Sequence, residues 1–161
     1  MNIVKVEPNQ IKLLSEFATD VFVDYYNDRI GSAQAKYMAD MFLSEESIKK
    51  LMEKGAIFKL VFNDEQPVGL IEYILEPEKV FLSKFYVRKD KRHQGIGKMM
   101  LEDCKAYALS NNRNKIYLTV NKYNNPSIDI YYHEGFKQID AVVNDIGNGY
   151  VMDDYIMELT L

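Results

Sequence analysis

Apolar positions along this chain change period several times, and each change marks an element. Ile3, Val4 and Val6 make the start read as a strand over residues 2–6. From 9 to 26 the apolar positions Ile11, Leu14, Phe17, Val21 and Tyr25 recur every three to four residues, the spacing of a helix with one buried face. Gly31-Ser32 breaks that period. A second helix is expected over about 33–43, and Ser44 is placed to cap a third that ends at Gly55. Residues 56–63 and 67–76 alternate as strands about the turn Asn63-Asp64-Glu65-Gln66-Pro67. Glu76-Pro77-Glu78 leads into a strand over 79–88, and a glycine loop then opens a helix over 95–110. After the polar break 111–114, Lys115 to Val120 reads as a buried strand. A short helix carrying Tyr131 follows, then strands near 137–144 and 154–160. This order predicts an α/β (α+β) fold: one mixed, mostly antiparallel sheet flanked by helices.

Composition narrows the class. The 161 residues suit one domain, 1–161, without repeats, linkers or low-complexity segments. The start is a strand pattern rather than a signal peptide, and no run approaches the ~18 apolar residues of a membrane span. A soluble, cytoplasmic protein with no membrane partner is expected. Cys104, the one cysteine, leaves no internal disulfide and no cysteine metal cluster. It falls on the core face of its helix, as a buried thiol would. His93 and His133 make no ligand cluster, so no metal is expected, and a net charge of −4 argues against a nucleic-acid partner.

The charge is unevenly spread. From Lys84 to Lys98 six Lys or Arg stand against one acid, Asp90, while the rest of the chain carries 14 basic and 23 acidic residues. Within the strip lies Arg92-His93-Gln94-Gly95-Ile96-Gly97-Lys98. A helix N-terminus has unpaired N–H groups and a partial positive charge, and glycine lets a phosphate approach the backbone. Three phosphate loops compete for this sequence. A P-loop needs glycine where Arg92 stands and Ser or Thr where Met99 stands. A dinucleotide fingerprint needs a small residue where Met100 stands. The pattern [RQ]-x-x-G-x-[GA] is met by Arg92, Gly95 and Gly97. This loop resembles the acyl-CoA pyrophosphate loop of the GNAT superfamily of N-acetyltransferases.

A second segment, Asn124 to Phe136, is similar to that family's signature N-x-x-[AS]-x-x-x-Y-x-x-x-G-F, with Ser127, Tyr131, Gly135 and Phe136 at the matching positions. The resemblance covers roughly residues 57–160. It implies acetyl-CoA as acyl donor and direct attack by an amine in a ternary complex. It implies two splayed strands, Leu82 to Val87 and Tyr117 to Val120, with pantetheine added between them like a strand. By resemblance the donor is held by Phe85, Tyr86, Val87, Arg92, His93, Gln94, Gly95, Ile96, Gly97, Lys98, Asn124, Ser127 and Tyr131. A backbone N–H in Phe85-Tyr86-Val87 serves the acyl oxygen.

Acyl transfer also needs proton traffic. An alkylammonium of pKa ~10.4 costs roughly 4–5 kcal/mol to present neutral at pH 7. Tyr131 stands at the family's acid position, able to protonate the departing thiolate, with Tyr132 as fallback. Many relatives carry a basic Glu near the position of Ser83. Serine cannot serve so, and Glu72 on the neighbouring strand is the candidate base, with a water chain as the alternative.

For the acceptor, Tyr25 and Asp28 from the helical segment near 20–44, and Asp153 from the segment Gly147 to Tyr155, are candidates. Acids with aromatic rings suit an amine cation. The stretches 117–136 and 153–161 are similar to bacterial spermidine/spermine N-acetyltransferases, which points to a small cationic amine, polyamine first. A non-catalytic acyl-CoA sensor is the rival, and an amino acid, an antibiotic or a protein N-terminus are alternative acceptors. Exposed tyrosines permit a homodimer without demanding one.

Overall fold

In the computed structural model, which describes residues 1–161, β1 (Asn2–Lys5) leads through a single 3-10 turn into α1 (Ile11–Ile30), α2 (Ser32–Phe42) and α3 (Glu45–Glu53). α1 buries Leu14, Phe17, Ala18, Val21 and Phe22, the expected face. It runs four residues past the expected end because Tyr26 and Ile30 continue that face. Gly31 then stops it with φ +88°, a conformation cheap only for glycine. Ser44 caps α3 by accepting the Ser47 N–H at 3.2 Å.

β2 (Ile57–Asn63), β3 (Gln66–Leu75) and β4 (Val80–Val87) form an antiparallel meander. α4 (Ile96–Ser110), β5 (Lys115–Asn121), α5 (Asn125–His133), β6 (Lys137–Gly147) and β7 (Tyr150–Thr160) complete the chain. The sheet order is β1-β2-β3-β4-β5-β7-β6, and β4–β5 is its one parallel pair. The last two strands are longer than the sequence pattern suggested. They close a hairpin through Asn148-Gly149, both at positive φ (54° and 77°), the signature of a turn that matches strand twist. β6 is an exposed edge strand, and its polar end, residues 145–147, lies beyond the strand expected over 137–144.

The sheet divides the core. One face, with Ile71, Tyr73, Leu118 and Met157, packs under α4 and α5. The other, with Phe58, Leu60 and Leu70, packs under α1 to α3. Cys104 lies on the buried face of α4, and burial raises its thiol to about 12. No helix is long and apolar enough to cross a membrane.

Candidate active site

β4 and β5 pair only at Val80↔Ile116 and Phe81↔Tyr117. Beyond that point each keeps its outer partner, β3 or β7, and the facing backbone edges have no ladder partner. A cavity of about 600 Å³ fills the opening. Such an edge accepts an extended, amide-bearing chain as a strand would. Both expected arms of the splay are therefore in place.

A β-bulge sets which side chains of β4 face the cavity. Glu72 pairs with Lys84 and Tyr73 with Leu82, so Ser83 is the extra residue. Phe85 and Val87 turn toward α4, and Lys84 and Tyr86 turn toward α1. Ser83, Phe85, Tyr86 and Val87 all line the cavity.

Arg92, His93, Gly95, Ile96, Gly97 and Lys98 line its mouth, whereas Gln94 is exposed and outside the lining. Gly95 caps α4 at φ +84°, with open space where a Cβ would stand. Ile96 to Lys98, the first turn of α4, thus lie on the cavity wall, and first-turn N–H groups have no partner within their own helix. His93 holds a left-handed φ of 62°, an uncommon conformation that keeps the loop folded back. Arg92 donates from Nε to the Val87 carbonyl at 3.2 Å. Asp90, the strip's one acid, is taken by Arg88 at 2.6 Å. The charges of Lys91, Arg92 and Lys98 are left for a ligand.

Asn124 joins three elements. It caps α5 by accepting the Ser127 N–H at 3.3 Å, accepts a hydrogen bond from the Tyr25 hydroxyl, and donates to the Tyr26 hydroxyl at 3.0 Å. The Tyr25 ring has Arg29 at 3.9 Å and Arg92 at 4.9 Å. Tyr25 therefore ties α1 to the loop and to α5 as it lines the cavity.

Tyr131 is 8% exposed and lines the cavity, its ring 6.1 Å from Phe85 and 5.6 Å from Phe136. Its hydroxyl has no protein partner, and burial raises its pKa above the ordinary phenol value, Tyr26 and Tyr25 adding to the shift. A neutral hydroxyl held there is a competent proton donor. Tyr132, one position on, is 49% exposed and outside the cavity. The fallback donor is thus separated from the site.

The structure also separates Glu72 from the cavity. It is fully buried, and Lys84 stands between, its Nζ 2.6 Å from Glu72 Oε1. Glu72 Oε2 has no protein partner. Glu72 stands on the expected strand, but its cross-strand neighbour Lys84 takes its carboxylate.

Of the acids named for the acceptor, Asp28 is exposed and outside the cavity, and Asp153 is paired with Lys122 away from it. The neighbouring Asp154 does line the cavity, 4% exposed, and burial raises its pKa to about 6, with Asp153 adding to the shift. Neighbours on a strand face opposite ways. Tyr155, Met157 and Leu159 pack toward α4 and α5, so Asp153 shares their side and Asp154 faces α1 and α2. That parity was the signal available in the sequence.

Residues 17–136 match the sequence model of the acetyltransferase (GNAT) family. A spermidine N(1)-acetyltransferase of Thermoplasma acidophilum is 26% identical over 110 residues, 68% of each chain. A peptidyl-lysine N-acetyltransferase, YjaB, of Salmonella typhimurium is 28% identical over 129 residues, 80% of this chain and 79% of that one. Among solved structures, the PaiA N-acetyltransferase of T. acidophilum in complex with coenzyme A has a TM-score of 0.84 at 22% identity, over 99% of this chain and 98% of that one.

Proposed function

The chain belongs to the GNAT family of acetyltransferases, and from that premise we propose that its acceptor is a small cationic amine, a polyamine first among them. It is an acyltransferase that uses acetyl-CoA. The acetyl thioester supplies the reactive carbonyl. The rest of the chemistry falls to residues of this chain.

The first-turn amides of α4, with Arg92, Lys98 and the loop His93 to Gly97, hold the pyrophosphate. The free edges of β4 and β5 hold the pantetheine arm, and the backbone of Phe85 to Val87 orients the acyl oxygen. Asn124 and Ser127 fix the start of α5 beside that arm. Tyr131 keeps its proton at pH 7 and delivers it to the departing sulfur. Glu72 acts at one remove, positioning the Lys84 ammonium. The amine sheds its proton through water, since no free carboxylate stands on β4.

The observation that carries the amine reading is the segregation of charge within one cavity. Unpaired cations gather at the loop, and an unpaired acid, Asp154, faces α1 and α2 among aromatic rings. The spermidine-acetylating relative supports the same choice. Replacing Tyr131 by Phe tests the enzyme against the sensor. The expected result is a fall in kcat of about 10²-fold with coenzyme A binding retained by calorimetry. Unchanged kcat would remove Tyr131 from proton transfer.

A further inference from the structure

Asp154 is the one buried carboxylate of the cavity without a protein partner. It is 4% exposed and lines the cavity, and neither an ion pair nor a side-chain hydrogen bond reaches it. A carboxylate withdrawn from water and left unpaired is expensive, so a fold that keeps one there is built to receive a cation. Its surroundings agree. On the same side of the sheet, Phe22 and Tyr26 lie 4.6 Å apart between ring centroids, and Phe22 and Tyr86 6.1 Å apart. Asp154 is near enough to Tyr26 to help raise its hydroxyl, which burial has already pushed up to about 12. Ring faces and a carboxylate together make an ammonium subsite.

The lysine on this side of the cavity is already committed. Lys84 is neutralised by Glu72 at 2.6 Å. Tyr25 has two guanidinium groups against its ring. Glu134, the other acid of the lining, is half-buried and follows the end of α5. One free negative charge therefore remains on the side toward α1 and α2.

We infer that Asp154 anchors a second, non-reacting ammonium group of the acceptor, so that the substrates are diamines and polyamines rather than monoamines. The chemistry requires two nitrogens in different states. The nitrogen that attacks must be neutral, whereas the nitrogen on Asp154 must stay charged to be held. A molecule with two amines separated by methylenes satisfies both, its apolar linker lying along the Phe22–Tyr26 wall. This inference rests on the amine reading of the preceding subsection and adds the number of amines and the residue that counts them.

The test compares diaminobutane with butylamine on the wild-type enzyme, Asp154→Asn and Asp154→Glu. Coenzyme A binding by calorimetry confirms that each variant is folded. The wild type is expected to favour the diamine in kcat/KM by about 10- to 100-fold, the worth of one charge-assisted contact. Asp154→Asn should collapse that preference through KM, and Asp154→Glu should retain most of it. A preference that survives Asp154→Asn overturns the anchor. So does a fall in kcat shared equally by both amines, which would place Asp154 on the reacting nitrogen. Absence of wild-type turnover on every amine would instead strike the acceptor reading. Thermal stabilisation by diaminobutane over butylamine, present in the wild type and lost in Asp154→Asn, then still decides the anchor.

Discussion

Asp154 carries a cost that its neighbour on the strand does not. Burial raises its carboxyl to about 6, above the ordinary value of 3.8, so the folded state holds that proton more tightly than the unfolded chain. The sign follows. Above about pH 6 the ionised form strains the free enzyme, and the strain lifts as pH falls toward 4. Asp154→Asn is therefore expected to melt at a higher temperature than the wild type at pH 7.5, with the gap closing near pH 4, by scanning calorimetry. A variant that melts lower at pH 7.5 would contradict the picture of a group kept for binding at the expense of stability. At this scale the sequence was only partly readable. The places of Gly95, Arg92, Asn124 and Tyr131 in the cavity lining were legible because they are tied to spacing along one loop or helix. Glu72, Asp28 and Asp153 depended on which way a side chain points and what stands in front of it. The bulge at Ser83 and the face parity of β7 decided the outcomes for Glu72 and Asp153, and both are properties of paired strands, whereas Asp28 lies on the exposed face of α1.

Elements place the loop. α4 can lie close over β3 because Gly69 has no Cβ. One built there would stand 2.8 Å from Ile96 Cγ2 and 3.2 Å from Met100 Sδ. Gly69→Ala should overpack that contact, lower stability by about 1–3 kcal/mol and lift the N-terminal end of α4. Denaturant unfolding reads the first effect, and coenzyme A calorimetry reads the second as weakened affinity. Unchanged affinity would mean that the loop is held from the other side, through Arg92 and Tyr25. Most elements were legible in the sequence, since Ile11 to Val21 and residues 56–88 show clean periods. The tip of the β6–β7 hairpin, residues 145–153, was not, because its exposed polar residues are held by pairing between the two strands rather than by a pattern of their own. Asn148-Gly149 was its one local signal.

At the scale of the molecule, an acidic chain concentrates its free cations at the glycine loop of a single cavity and leaves an unpaired carboxylate on the side toward α1 and α2. The splay of β4 from β5 creates that cavity, and α1 closes it through Tyr25, Tyr26 and Asn124. On the proposed reading, the anionic donor is drawn to the loop and the cationic acceptor to Asp154, and the two meet beside Tyr131. The measurement that tests this account most directly is incubation of the wild-type protein with acetyl-CoA and spermidine, reading thiol release and the mass of the product together. The account predicts saturable release matched by acetylated spermidine. Coenzyme A binding with no acetylated amine from spermidine or any other small amine, or acetylation confined to lysine in a peptide, would contradict it.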